Sequence, residues 1–412
     1  MSSKQHLDIL IEHASELLTC KAKAPKKKNE LANLGIIRDG AIGIKSGKIV
    51  FVGTSLAAKK YRRSAKKIIN AQGNVVMPGF VDSHTHAIFA GTRENEFLKK
   101  LQGIPYLKIL KQGGGILSTV ATTRKASKKE LLQGAMRRFK TMLQYGTTTV
   151  EVKSGYGLTF EDEKKILEVA KILGKTLPLD IVTTYLGAHT VPNGHTNGKY
   201  VDEVIASLKK IKPYAEFCDV FCEKGIFTVS ETRKIFEAAK ALGYKLKLHC
   251  EQLSTQHSAE LAANLKAISA DHLEYISKKG LKALAKHGVI GVLLPGVNFY
   301  LMQKKYAPAR DLIKSGIPIA IASDFNPGSC PTFNMQLIIS LACLKLKMQP
   351  SEAINAATIN AAYAIDRGNE IGSLEVGKKA DVILLDIDNH NKLPYFFGVN
   401  LVEKVIKAGK VI

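Results

Sequence analysis

The sequence predicts an α/β fold: a (β/α)8 barrel of the TIM type, with a small β-sandwich domain built from both chain ends. Three observations predict it. Eight short apolar runs alternate with helical patterns through the middle of the chain, mostly at the ~30-residue spacing of a βα unit. The runs show no polar alternation, as strands buried on both faces of a parallel sheet do. Most of them end in a polar or titratable residue, and the carboxyl ends of barrel strands share one mouth.

The elements follow in chain order. Near the two ends, Ile44-Lys-Ser-Gly-Lys-Ile-Val50 and Ile406-Lys-Ala-Gly-Lys-Val-Ile412 each set a Gly turn between β-branched residues, a hairpin signal. Ala380-Asp-Val-Ile-Leu-Leu-Asp386 adds a strand beside the second. The reading is three segments: 1–75 and 369–412 as the two parts of one composite β-domain, and 76–368 as the barrel. The barrel strands are placed at 80–84, 147–151, 180–185, 217–221, 246–249, 267–271, 289–294 and 318–323. Ser127 with Glu130, and Thr228 with Glu231, fit the capping box that satisfies orphan N–H groups at a helix start. Gly146, Gly174, Gly243, Gly288 and Gly316 fall where helical patterns stop. The first strand-to-strand gap is too long for a simple connection, and 91–124 reads as an active-site loop.

Composition narrows the class. The 412 residues are 45% hydrophobic, enough apolar surface to offset chain entropy and exclude disorder. No apolar run approaches the ~18 residues that cross a bilayer, and no signal peptide is expected at the start. Six scattered cysteines make no disulfide framework, so a reduced, cytoplasmic protein is expected. The formal charge is +24, of which +10 falls in residues 1–70, densest at Lys21-Ala-Lys-Ala-Pro-Lys-Lys-Lys28. Only Phe51 and Tyr61 are aromatic there, so a stacking platform for single strands is missing. A solvated basic surface is expected, not a nucleic-acid partner, and its field would draw a small anion toward a cleft.

The chemistry-bearing residues sit at the strand ends. His84 and His86 are i and i+2, so both imidazoles point to one face and reach one ion. His249 closes the fifth strand and Asp324 the eighth. Three imidazoles and a carboxylate suit a borderline-soft divalent ion and leave room for water, whose pKa such an ion lowers toward ~7. His272 ends the sixth strand as either a proton carrier or a core histidine, with Asp271 placed to orient it. Glu151-Val-Lys-Ser-Gly-Tyr-Gly157 reads equally as a ligand loop offering the Tyr156 hydroxyl or as a tight turn. From position alone, Arg93 is either a carboxylate clamp or a surface ion pair. Lys224 is a carbamylation candidate for a second ion, but a single ion is the simpler reading.

These residues carry a resemblance. Val76-Met-Pro-Gly-Phe-Val-Asp-Ser-His-Thr-His86 and Glu370-Ile-Gly-Ser-Leu-Glu-Val-Gly-Lys-Lys-Ala-Asp381 resemble signatures of the amidohydrolase superfamily. Gln102-Gly-Ile-Pro-Tyr106, Gln112-Gly-Gly-Gly-Ile-Leu-Ser-Thr119, Glu151 to Gly157, Gly187-Ala-His189, Leu294-Pro-Gly296 and Ser323-Asp-Phe-Asn-Pro-Gly-Ser329 are similar to the imidazolonepropionase family within it. The resemblance implies hydrolysis of 4-imidazolone-5-propanoate to N-formimidoyl-L-glutamate in histidine degradation. It implies one zinc or iron ion on His84, His86, His249 and Asp324, zinc being favoured. His272 would shuttle the proton, with Asp324 as its catalytic companion. Arg93, Tyr156, His189 and Ser329 would bind the small anionic substrate, chiefly its propionate, and Asn326 and Gly328 would touch the product end. Where family members carry Asp-Glu, this chain has Glu251-Gln252; a glutamine can orient a ring nitrogen but takes no proton, so Gln252 is read as an orienting residue. A homodimer is also expected. The rival readings are a related enzyme that deaminates a nucleobase-like ring and a non-catalytic, polyanion-binding relative.

Overall fold

The computed structural model describes residues 6–104, 108 and 113–412. Its barrel is an eight-stranded parallel sheet in sequential order: β6 (Phe80–Asp82), β7 (Thr147–Lys153), β8 (Asp180–Ala188), β9 (Phe217–Cys222), β10 (Lys245–Cys250), β11 (Ser269–His272), β12 (Ile290–Leu293) and β13 (Ile319–Ile321). Each of the eight predicted runs contains or overlaps one of these strands. The sheet is nearly closed beyond β13. Asp324 N–H donates to the His84 carbonyl (3.0 Å), His86 N–H donates to the Phe325 carbonyl (2.9 Å), and the Asp82 carboxylate accepts from Ser323 N–H (3.0 Å) and Oγ–H (2.5 Å).

Alternation decides what fills the bore. On β7, Val150 and Val152 join the large core under the surrounding helices, so Thr149, Glu151 and Lys153 take the other face. On β9, β10 and β11 the same rule turns Asp219, Lys247, His249 and Asp271 inward, all of them buried. The expectation of uniformly apolar strands is therefore corrected. Both faces are buried, but one faces an ionic layer near the carboxyl ends of the strands. Below it, Val182, Phe217, Ile290, Val292 and Ala320 close the base with an apolar plug.

The capping boxes form at both predicted places, Ser127 with Glu130 and Thr228 with Glu231. Gly146, Gly243, Gly288 and Gly316 take the left-handed conformation where helices end. Gly174 does not: the helix Phe160–Thr176 runs past it. Among its described residues, the 91–124 segment includes the helix Glu94–Leu101 and most of the helix Ile116–Lys125. Parts of the Gln102–Tyr106 and Gln112–Thr119 motifs lie outside the described residues.

The chain ends meet in a second sheet. It holds β1 (Leu7–Leu18), β2 (Ile36–Lys45), β3 (Lys48–Thr54), β4 (Ala65–Asn70), β5 (Val75–Pro78), β14 (Val382–Leu385), β15 (Val402–Lys407) and β16 (Lys410–Val411). The order is β16-β15-β14-β5-β1-β2-β3 with β4 also on β1, and pairing is antiparallel except for β4 and β5 on β1. One curled sheet, rather than two separate ones, encloses a core of Ile9, Ile11, Ile42, Ile44, Val76, Val382, Leu384 and Ile406. The two look-alike turns touch: a Cβ on Gly409 would lie 2.9 Å from the Gly47 Cα. The basic segment is not wholly solvated, because Lys26 is buried, its Nζ bonded to the Asn33 carbonyl and to Asn355 Oδ1 (3.2 Å). Among the described residues no helix is long and apolar enough to cross a membrane.

Candidate active site

His84 and His86 follow β6, His249 lies on β10, and Asp324 follows β13. The donor atoms of His84, His86 and His249 lie within 4.8 Å of one another, and so do those of His84, His272 and Asp324. His84 Nδ1–H donates to Asp271 Oδ2 (2.6 Å) and His249 Nδ1–H to Asp219 Oδ2 (3.0 Å). Those bonds fix both tautomers and leave two Nε2 lone pairs facing each other at 3.1 Å. Asp324 Oδ1, buried and without a hydrogen-bond partner, lies 3.6 Å from His84 Nε2 and 3.3 Å from His86 Nε2. Converging lone pairs without a proton among them repel, and a cation at their centre turns that repulsion into ligation. The residues fit a divalent metal ion, with carboxylates holding the far side of two imidazoles as metal-binding histidines require.

Electrostatics agree. Burial lowers the His86 pKa to about 3 and that of His249 to about 4, and takes His84 well below its ordinary value, so all three are neutral donors at pH 7. Burial also raises Asp324. Beneath the donors lies a layer that sequence reasoning missed. Lys153 Nζ sits 2.8 Å from both Glu151 Oε1 and Asp219 Oδ2 and 3.8 Å from Asp271 Oδ2, while Lys247 Nζ lies 3.7 Å from Asp271. The signal was in the alternating charges of Thr149-Val-Glu-Val-Lys153 and Lys245-Leu-Lys-Leu-His249.

His272 reaches the same cluster because the backbone turns left-handed there (φ 82°), but Asp271 does not orient it: the Asp271 carboxylate accepts from His84 Nδ1–H. Its neighbour is Glu274, also missed, whose Oε1 lies 3.8 Å from His272 Nδ1. Burial disfavours the imidazolium, yet Glu274, then Asp324 and Asp271, outweigh it and raise the His272 pKa. Lys224, the second-ion candidate, is exposed.

A cleft of about 470 Å³ opens over these groups, and every predicted substrate residue lines it: Arg93, Tyr156, His189, Gln252, Asn326, Gly328 and Ser329. The Arg93 side chain is 9% exposed and tied by Nη2 to Glu96 Oε2 (2.6 Å). Glu96 is itself held by Gly115 N–H (3.1 Å) and Ser118 Oγ–H (3.1 Å), which gives two residues of the Gln112–Thr119 motif a purpose. A side chain on Gly328 would strike the Arg93 guanidinium, its Cβ 1.9 Å from Nη1. His189 Nδ1–H donates to the Gly155 carbonyl (2.9 Å), and burial lowers its pKa to about 3, so Nε2 is an acceptor. Asn326 lines the cleft, but its amide is committed to the loop. It accepts from Gly328 N–H (2.9 Å) and Ser329 N–H (2.8 Å), and donates to the Asp324 carbonyl (2.7 Å) and Ser329 Oγ (2.7 Å). With all four positions used, it shapes the loop rather than gripping a product.

Comparison with known proteins follows the same lines. Residues 75–412 match the amidohydrolase family model. The imidazolonepropionase of Alkaliphilus oremlandii is 48% identical over 414 residues, covering 99% of this chain and 98% of the relative. That of Thermoanaerobacter pseudethanolicus is 48% identical, covering 97% of each. Among solved structures, an adenosine deaminase from Xanthomonas campestris with bound zinc superposes with a TM-score of 0.74 at 20% identity, covering 99% of this chain and 93% of that one, a likeness of fold alone.

Proposed function

We propose, for a chain that belongs to the imidazolonepropionase family of amidohydrolases, that it hydrolyses 4-imidazolone-5-propanoate to N-formimidoyl-L-glutamate in histidine degradation. The observation that carries this reading is one cleft holding both a donor set of neutral imidazoles with Asp324 and the Arg93 guanidinium. His84, His86, His249 and Asp324 would hold one ion, for which three nitrogens and an oxygen favour zinc over iron. Such an ion supplies Lewis-acid activation of a water molecule and of the ring carbonyl.

The chain's own residues do the rest. Arg93 and the Ser329 hydroxyl grip the propionate, Arg93 being held in aim by Glu96. Tyr156 and Gln252 border the ring, and His189 Nε2 accepts a ring N–H, which suits its neutral state better than a carboxylate contact. His272, with its pKa raised by Glu274, carries the proton. It takes the proton of the attacking water and returns it to the ring nitrogen as the C–N bond breaks, so the nitrogen does not leave as an anion. Asp324 shares that proton path at the donor cluster. We further propose a homodimer and a cytoplasmic location, readable from the mass in solution and from cell fractionation.

The test is to incubate protein loaded with zinc or iron with freshly made 4-imidazolone-5-propanoate and follow the ring's ultraviolet absorbance. Loss of absorbance without ammonia, abolished by a chelator, is the expected result. Ammonia release would favour the deaminase reading, and unchanged absorbance would overturn the proposal.

A further inference from the structure

Arg93 is the cation the sequence places in the cleft, yet the charge there does not balance on it. Glu96 is buried, and although burial raises its pKa, Arg93, Gly115 and Ser118 outweigh this and hold it below its ordinary value. The Arg93–Glu96 pair is therefore a neutral unit that orients N–H donors and adds little net attraction for an anion. Lys100, at the other end of the helix Glu94–Leu101, lines the same cleft. Its Nζ donates to the Gly328 carbonyl (3.2 Å), so Lys100 and Arg93 approach one residue of the cleft wall together. Among the described residues Lys100 makes no ion pair. Burial and then the Arg93 charge lower its pKa, strain that an arriving anion relieves.

We propose that Lys100 is a specificity-determining residue, supplying the uncompensated positive charge that selects a substrate bearing a carboxylate, while Arg93 supplies direction. This rests on the functional reading above. A backbone carbonyl is a weaker partner for an ammonium than a carboxylate is, so the Gly328 contact marks where Lys100 waits.

The experiment compares wild type, Lys100→Gln and Lys100→Arg in metal-loaded protein. With 4-imidazolone-5-propanoate, Lys100→Gln raises KM about tenfold or more while kcat stays within about threefold, and Lys100→Arg recovers most of the loss. With the side-chain carboxamide analogue, Lys100→Gln and wild type perform alike, which a merely structural strap would not produce. Glutarate binding by calorimetry gives an arm independent of turnover, and its affinity falls about tenfold in Lys100→Gln. If wild type turns nothing over but glutarate affinity still falls, the functional reading fails and the role of Lys100 stands. Unchanged KM and glutarate affinity in Lys100→Gln, or equal losses on acid and amide substrates, overturn the proposal.

Discussion

Replacing Lys153 with methionine keeps the volume of a fully buried side chain and deletes its charge. Burial opposes that charge, but Asp219, Glu151 and Asp271 outweigh it and raise its pKa, so Lys153 is an ammonium in the folded protein. Without it, Glu151 Oε1 keeps only the Thr184 hydroxyl, and Asp219 keeps His249. Breaking a buried pair from one side costs about 3–5 kcal/mol, because the orphaned charge stays buried. Two carboxylates at 2.8 Å and a third at 3.8 Å place this site toward the upper figure. At about 2 °C per kcal/mol, the Tm falls by roughly 6–10 °C. The assay is thermal unfolding of metal-free protein by circular dichroism, since bound metal would add its own stabilisation and the chain has no Trp to report by fluorescence. Lys153→Met combined with Glu151→Gln removes charge from both sides and loses less than the single change. A Tm within about 2 °C of wild type for Lys153→Met, or a double variant worse than the single, would refute the reasoning.

Three further outcomes follow from the site. His86, His189 and His249 have folded pKa values of about 3, 3 and 4 against 6.5 unfolded, so below pH 6.5 the unfolded chain binds protons that the fold refuses. Stability present above 6.5 is lost as pH falls, by about 1.4 kcal/mol per pH unit for each histidine near pH 5, and a urea midpoint flat from pH 7 to 5 would contradict this. Gly328→Ala drives a methyl group into the Arg93 guanidinium and raises KM about tenfold or more at unchanged Tm, so normal KM would remove Gly328 from the clamp. His272→Ala lowers kcat by about 10²–10⁴-fold with little change in KM, and a near-normal kcat would end its role as proton carrier.

Much of the fold was legible because burial on both faces leaves so plain a trace in β7 to β13. The donor set was legible for a similar reason: His84, His249 and Asp324 close strands that a barrel must bring to one mouth. The ionic layer was legible only in part: alternation on β7 and β10 turns Glu151, Lys153 and Lys247 to one face, but only closure of the bore makes those two strands and Asp219 of β9 neighbours. Asp271 shows the limit within one strand. Its nearness to His272 in sequence points to a pair, but Asp271 accepts from His84 across the barrel, while the left-handed turn at His272 brings that ring beside Glu274. Asn326 shows another limit: a motif marks which residues meet, but only the hydrogen bonds show that its amide is already committed to the loop.

The sheet in which both chain ends meet also sets an order of events during synthesis. A ribosome delivers β1 to β5 first and β14 to β16 more than three hundred residues later, so the Val75–Pro78 edge and the larger share of the Ile-rich core wait uncovered while the barrel emerges. The excess of positive charge in residues 1–70 lies in the connections, at Lys21–Lys28 and Lys59–Arg63, while β1 is acidic through Asp8, Glu12 and Glu16; like charge on those connections opposes association of waiting chains. A nascent chain cut short before β14 therefore carries an open apolar seam that proteases and chaperones can read.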